Sequence, residues 1–381
     1  MSSSTAAVLE DVSFDASATP FQTLDPTKWK TMTLFKPLTT FISTTPYIGD
    51  IHSLTATDFT DWTATTAASA TLSLKNGKSF YNMPTLKVTI AALTKTGGTH
   101  VEMVDGAFNW IDYVDVTSAD SGTPAQHFRG QDLHDIWMHH SLGAEELAEV
   151  DAMTHHNLTS AQRRTLGAAS QTVYLPLALL WFANHPGMAL HGENLTSKFE
   201  IKVVFKSLNK AAVTDGSAVS GASMTKPVFI FESAHVPDNE STSTNFSSNV
   251  GSGKIQRFID FQYLLNQAIP TGATEVQIEL KNVNRSIVNI VVTVYYTADR
   301  ITDRACDYEN NQVVDYVQIT GANGTIYPKT ETKFLTAFYR GSRFKSKQFA
   351  ENIYSIPFSM SPGSVTHSLG QIVLSNTTSP T

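Results

Sequence analysis

Cysteine is nearly absent from this chain of 381 residues, in which Cys306 is the only one. A single cysteine excludes an intrachain disulfide and any zinc site that is built from several thiolates. We therefore expect stability to come from packing of the apolar side chains, which make up 41% of the sequence. We also expect synthesis in a reducing compartment.

Charged residues are scarce, at 16% of the sequence against about 25% in typical soluble domains. The formal net charge is −7, and the one conspicuous basic run, residues 340–347, is typical of a solvated loop. An acidic chain has no general attraction for phosphate backbones. We expect no direct nucleic-acid ligand.

Long apolar runs and a positively charged start are also missing, so the sequence predicts neither a membrane-spanning helix nor a secretory signal. Residues 1–27 are small and polar with isolated apolar side chains, which is typical of an arm that becomes ordered only against something else. We expect a soluble protein that is not secreted.

The sequence signatures of enzymes are missing as well: there is no G-x-S-x-G, Walker, G-x-G-x-x-G or H-E-x-x-H motif. Histidines are the only group that suggests a metal site, and five of them lie close together: His134, His139, His140, His155 and His156. Chelation on one helix needs partners three or four positions apart, and these residues have other separations. We therefore predict no catalytic, cofactor or metal site, and we leave the role of the histidines open.

The chain does contain a strand pattern that occurs twice. Residues 173–177 (VYLPL) lead through 184–190 (NHPGMAL) to the alternating segment 199–205, and residues 353–358 (IYSIPF) lead through 361–363 (SPG) to the segment 371–374. Each copy has a strand with an early proline, a Pro-Gly turn and a final strand. This repetition predicts two similar β-domains in tandem.

The domain boundaries follow from this pattern and from composition. We predict an N-terminal arm over 1–27, a first β-domain over 28–206, a small-residue linker over 207–226 and a second β-domain over 227–381 with a short C-terminal tail. Short alternating strands with long loops favour an antiparallel sandwich or jelly roll in each half.

A helical excursion interrupts the first β-domain over about residues 130–168. Leu133, Ile136, Trp137 and His140 have the spacing of one helical face. Farther along, residues 159–162 (TSAQ) have the form of a capping box, which predicts that a helix begins there.

Three segments resemble motifs of one family, the double jelly-roll major capsid proteins of icosahedral double-stranded DNA viruses, in the lineage of large eukaryotic DNA viruses, virophages and polinton-like viruses. The segments are 108–116 with 131–138, 174–205, and 353–375. The chain departs from the family pattern at 361–363 and 367–370. The residues that match the motifs are Trp110, Tyr174, Pro176, Trp181, Phe182, Asn184, Pro186, Gly187, Leu190, Tyr354, Pro357, Phe358, Pro362 and Gly370.

The resemblance implies an all-β fold of two tandem eight-stranded antiparallel jelly-roll barrels with helical loop excursions. It implies a non-enzymatic major capsid protein, located in the virion capsid and assembled inside the host cell, whose homotrimer is a pseudo-hexameric capsomer that tiles the shell. Its partners would be lattice neighbours, penton and minor capsid proteins, and an internal membrane. The alternatives are a minor capsid protein, a receptor-binding or glycan-binding β-protein, and a jelly-roll enzyme that acts on glycans.

Overall fold

The computed structural model forms two compact units: all described residues up to His235 belong to the first, and all those from 269 onward belong to the second. The structure describes residues 48–63, 65–74, 79–97, 101–118, 126–138, 142–177, 190–191, 199–214, 218–235, 269–270, 272–278, 286–287, 289–293, 314–321, 324–335, 353–358 and 372–373.

The first unit is mainly antiparallel β-structure. Its strands are β1 (Ile48–Thr55), β2 (Asp58–Thr60), β3 (Ser69–Leu74), β4 (Ser79–Ile90), β5 (Thr94–Thr96), β6 (Val101–Met103), β7 (Ile111–Ser118), β8 (Gln126–Arg129), β9 (Gln171–Pro176), β10 (Leu190–His191), β11 (Phe199–Phe205), β12 (Ala212–Thr214), β13 (Ala218–Gly221) and β14 (Met224–His235).

The helical segments of this unit are short. They are a 3₁₀ turn (Ala107–Trp110), a helical turn (Gly130–Asp132) that runs into a π-helix (Leu133–Met138), α1 (Ala144–Met153), α2 (Ser160–Gly167) and a turn at Leu208–Ala211. Within the described part of the chain, no helix combines the length and the apolar character needed to cross a membrane.

The strand order of the first unit is that of a jelly roll. One sheet runs β1-β14-β4, with β9 and β10 both paired to β4, and the other runs β2-β3-β11-β7-β8. Eight main strands can be numbered 1 to 8 in chain order: β1, β3, β4, β7, β8, β9, β11 and β14. In these numbers, the order of neighbouring strands is 1-8-3-6 in one sheet and 2-7-4-5 in the other. This order is the double Greek key of a jelly roll.

Alternating side chains of both sheets form one continuous core. On β11, Ile201, Val203 and Phe205 are fully buried, and Val203 lies opposite Val114 of β7. The ring of Trp62 packs edge-on against Phe205 at a centroid distance of 5.6 Å. Full burial of one such side chain stabilises the fold by about 1.5–3 kcal/mol. The alternation of the sequence over 199–205 thus corresponds to one buried face of β11.

The predicted linker over 207–226 is wrong, and so is the predicted end of the first jelly roll at 206. β12 pairs with β6, β13 pairs with β5, and β14 pairs with both β1 and β4. The last strand of the first jelly roll is therefore β14, whose Phe229 and Phe231 are fully buried. The segment resembled a linker because its short strands consist of small and polar residues with little apolar periodicity.

The second unit is described in pairs of antiparallel strands. Its strands are β15 (Ser286–Ile287), β16 (Asn289–Thr293), β17 (Tyr316–Gly321), β18 (Gly324–Glu331), β19 (Ile353–Pro357) and β20 (Ile372–Val373). β15 pairs with β20, β16 with β19, and β17 with β18, and a helical turn at Thr332–Phe334 follows β18. Ile319, Leu335 and Ile356 form its buried cluster. The prediction of eight strands in each barrel stays a prediction.

Candidate functional site

The motif residues divide into those that the structure describes and those that it does not. Trp110, Tyr174, Pro176, Leu190, Tyr354, Pro357 and Phe358 lie in described elements. The motif residues outside the described residues are Trp181, Phe182, Asn184, Pro186, Gly187, Pro362 and Gly370. The predicted arm over 1–27 and residues 238–253 also lie outside them.

Trp110 is a core residue of the first jelly roll. It ends the 3₁₀ turn, is 1% exposed, and donates its indole N–H to the carbonyl of Val104 at 2.8 Å. The side chain of Asn109 donates to the carbonyl of Asp105 at 2.7 Å. Within the motif segment 108–116 the strand therefore begins only at Ile111, because these side-chain contacts stabilise a turn before it.

The first copy of the repeated motif is β9, where alternate residues face opposite sides. Val173 and Leu175 are buried in the core, whereas Tyr174 is exposed, with the ammonium of Lys87 5.8 Å from its ring centroid. Pro176 is the last residue of the strand and lies opposite Thr85 of β4. A proline at a strand end removes few ladder hydrogen bonds.

The second copy is β19, and it also ends in its motif proline. Tyr354 is buried, and its hydroxyl accepts a hydrogen bond from the backbone N–H of Val314 at 3.2 Å. Pro357 lies opposite Asn289 of β16, and the ring of Phe358 packs edge-on against Tyr327. The two copies thus share a strand that ends at a proline. Their Pro-Gly turns lie outside the described residues.

The helical excursion is attached to the first jelly roll by hydrogen bonds. The carboxylate of Asp105, just after β6, accepts from the backbone N–H groups of Asn157 and Leu158, both at 3.0 Å. At the start of α2, the side chains of Thr159 and Gln162 form the predicted capping box, since each accepts from the other's backbone N–H. The loop between α1 and α2 therefore has a defined position against the barrel.

Three of the acidic and histidine side chains in this excursion lie together. The Nε2 atom of His134 is 2.7 Å from Oδ1 of Asp151, and the rings of His134 and His156 stack with centroids 4.1 Å apart. One possible ligand atom of each residue lies within 4.8 Å of the other two. Sequence reasoning missed this arrangement because it compared separations along one helix, whereas the three residues come from the π-helix, from α1 and from the turn after α1.

Burial is the main cause of the pKa shifts of His155 and Tyr113, which lie in the same unit. Burial lowers the pKa of His155, and a polar contact with Gln171 opposes this shift. Burial, followed by the negative charges of Asp115 and Asp112, raises the pKa of Tyr113.

These features define an all-β protein whose first unit is a jelly roll and whose sequence motif recurs in a second β-unit. No protein-family profile and no curated protein matches the chain. Solved structures do match it, and they include a viral capsid and a viral major capsid protein.

The first match is PBCV-1 VP54 fitted into a reconstruction of the virophage Sputnik, with a TM-score of 0.61 and 14% identity over 88% of this chain and 84% of that chain. The Faustovirus major capsid protein has a TM-score of 0.61 and 9% identity over 100% and 93% of the two chains. A Sputnik virophage structure has a TM-score of 0.51 and 9% identity over 87% and 80%. The fold is therefore the double jelly roll of these capsid proteins, and the predicted fold class is confirmed.

Proposed function

We propose that this protein is the major capsid protein of an icosahedral double-stranded DNA virus and that three copies form a pseudo-hexameric capsomer. The observation that carries the proposal is the similarity in fold to viral capsid proteins. In the comparison with the Faustovirus major capsid protein, this similarity covers 100% of the chain. Because identities are 9–14%, the comparison gives the fold, and the capsid role is inferred from it.

The geometry of a double jelly roll favours such an assembly. Three chains with two barrels each give six barrels, and a threefold ring of them has a nearly hexagonal outline that can tile a shell. A subunit of this kind needs no reaction chemistry. It needs stable barrels and surfaces that bind copies of itself, and we infer that these subunits form the virion shell inside the host cell.

The composition and one surface residue support self-association. With 16% charged residues, the surface has few charges that would lose water when two subunits meet. Ile51 on β1 has an exposed fraction of 67%. A neighbouring copy would cover this apolar side chain and remove its surface from water.

Further partners follow from the same proposal. Shell vertices require penton proteins, and contacts between capsomers require minor capsid proteins. Residues 1–27 would form an arm that becomes ordered against neighbours or against an internal membrane. The helical excursion over about 130–168 and residues 238–253 would supply outer surface or intersubunit contacts.

Size measurement tests the proposal directly. Light scattering of the purified chain is expected to give three times the chain mass of 41.6 kDa, and negative-stain images should show particles with a pseudo-hexagonal outline. A monomer that binds glycans or hydrolyses them would contradict the proposal and favour a glycan-binding protein or an enzyme. A monomer that binds only to preformed capsomers would indicate a minor capsid protein instead.

A further inference from the structure

We propose that His134, Asp151 and His156 bind one divalent transition-metal ion of the zinc class, which fastens the helical excursion of the first jelly roll. His134 lies on the π-helix, Asp151 near the end of α1, and His156 in the turn that follows. An ion bound by all three would join these elements directly. The proposal does not depend on the capsid function.

The donor set determines the class of metal. Two imidazoles and one carboxylate are typical ligands of zinc and of its neighbours cobalt, nickel and iron(II). Calcium and magnesium prefer sites made of oxygen atoms. Three protein ligands leave one tetrahedral position for water, and the partial exposure of the Asp151 side chain, at 19%, gives an ion a way in from solvent.

The distances are compatible with coordination after small side-chain shifts. Zinc–ligand bonds of about 2.0–2.1 Å place two ligands of a tetrahedral site about 3.3 Å apart. The Nε2 atom of His134 and Oδ1 of Asp151 are 2.7 Å apart, and the three ligand atoms all lie within 4.8 Å of one another. An ion would therefore move one pair slightly apart and draw the third ligand inward.

The backbone around His156 is held in an uncommon conformation. The residues on either side of it, His155 and Asn157, have φ angles of +55° and +59°. Non-glycine residues rarely adopt this left-handed region, and such strain concentrates at functional sites. His134 lies on a π-helix, which is also frequent at functional sites. We infer that the positive φ angles and the π-helix are retained because they position the imidazoles of His156 and His134.

Neighbouring groups position two of the three side chains, those of Asp151 and His156, as such groups do around established metal sites. The amide of Asn157 donates to Oδ2 of Asp151 at 3.1 Å, and the backbone N–H of His156 donates to the carbonyl of Asp151 at 2.8 Å. Gly106 faces the ring of His156 so closely that a Cβ there would lie 2.3 Å from Nδ1. The carboxylate and the imidazole are thus positioned by contacts with other residues.

The alternative is a cluster held by hydrogen bonds alone, and metal binding by the full-length protein separates the two. After removal of metals with EDTA, the wild type is expected to take up one Zn²⁺ per chain. Inductively coupled plasma mass spectrometry measures this metal content. Free Zn²⁺ at 100 times its Kd should raise the Tm by about 5–10 °C. Co²⁺ should give the visible absorption of a tetrahedral ion.

Substitutions of the ligands provide the second part of the test. Asp151→Asn and His156→Gln are each expected to weaken Zn²⁺ binding by at least about 100-fold and to abolish the rise in Tm. The matched control is His127→Gln, because His127 forms a similar pair with Asp115, with Nδ1 and Oδ1 2.6 Å apart, elsewhere in the first unit. It should bind Zn²⁺ as the wild type does.

Two results would overturn the proposal. One is a wild-type protein that takes up no stoichiometric ion and whose Tm does not respond to Zn²⁺. The other is an Asp151→Asn or His156→Gln variant that keeps the wild-type response. All of these measurements use proteins that retain His134. The test therefore does not require a variant of this buried residue to fold.

Discussion

The guanidinium of Arg163 lies 3.3 Å from the carboxylate of Glu102, whose side chain is only 5% exposed. The hydroxyl of Ser160 donates to both oxygens of the same carboxylate, at 2.9 and 2.8 Å. A buried carboxylate is tolerated only when hydrogen bonds and opposite charge replace its water. These contacts anchor the first turn of α2 to β6.

Replacing Arg163 by methionine is expected to destabilise the first unit by about 2–3 kcal/mol. Removal of one member of a buried ion pair costs about 3–5 kcal/mol, because it leaves a buried charge without its partner. The cost here is reduced because Ser160 and Arg164 remain near Glu102. Urea unfolding followed by circular dichroism measures the change.

Arg164→Met is the matched control on the same helix. The Nε atom of Arg164 lies 3.5 Å from the same carboxylate, but its side chain is 46% exposed. Solvent screens such a pair, so its loss should cost less than about 1 kcal/mol. Equal losses in the two variants would show that burial of the Arg163 contact does not matter.

Gly106→Ala is expected to lower the free energy of unfolding of the first unit by about 2–4 kcal/mol. Gly106 has a φ of +72° and a ψ of 120°, a sparsely populated conformation that costs a residue with a Cβ about 1–3 kcal/mol. The new Cβ would also lie 2.3 Å from Nδ1 of His156, so the imidazole must move away. Thermal and urea unfolding of the variant measure the total.

Gly272→Ala separates the two causes. Gly272 has a similar φ of +82°, but a Cβ there would meet no atom within 4 Å. Its substitution should therefore cost only the backbone strain, about 1–2 kcal/mol, in the unfolding transition of the second unit. If both alanines cost the same, the contact with His156 makes no energetic contribution.

Local features of the fold were predictable from the sequence. The capping box over 159–162 needs only residues three positions apart, and the inward face of 199–205 needs only alternation along one strand. The repeated motif likewise predicted two strands with prolines, although Pro176 and Pro357 are the last residues of their strands and not early ones. In all these cases the interacting groups are close together in the chain.

The remaining features depend on partners far away in the sequence. β14 pairs with β1 over residues 228–235, so that Phe229 lies opposite Leu54. Nothing in the composition of 207–226 reveals that such a strand follows in the same barrel. His134 and Asp151 are 17 positions apart and meet across two helices. Their proximity results from the packing of the excursion, which no spacing rule for a single helix describes.

Substitutions of the motif residues Trp110 and Tyr174 should differ sharply in their effect on stability. Trp110→Phe is expected to cost about 2–4 kcal/mol, because it leaves the carbonyl of Val104 without its indole donor and opens space in the core. Tyr174→Phe should cost less than about 0.5 kcal/mol, since Tyr174 is 37% exposed. Urea midpoints of the two variants give the comparison, and similar values would contradict the assignment of Trp110 to the core.

The stability of the first unit should depend on pH through His155. Burial lowers the pKa of His155 below its ordinary value of 6.5, so the unfolded chain binds a proton at a higher pH than the folded chain. The contribution of His155 to stability is therefore fully present above the unfolded pKa, and it is lost as the pH falls from that value towards the lower folded pKa.

His155→Asn should remove this dependence without disturbing the turn, because asparagine tolerates the φ of +55° at this position. We expect the urea midpoint to fall less between pH 7.5 and pH 5.5 in the variant than in the wild type. The other titrating groups are common to both proteins and cancel in this comparison. An equal fall in both proteins would mean that the pKa of His155 does not differ between the folded and unfolded states.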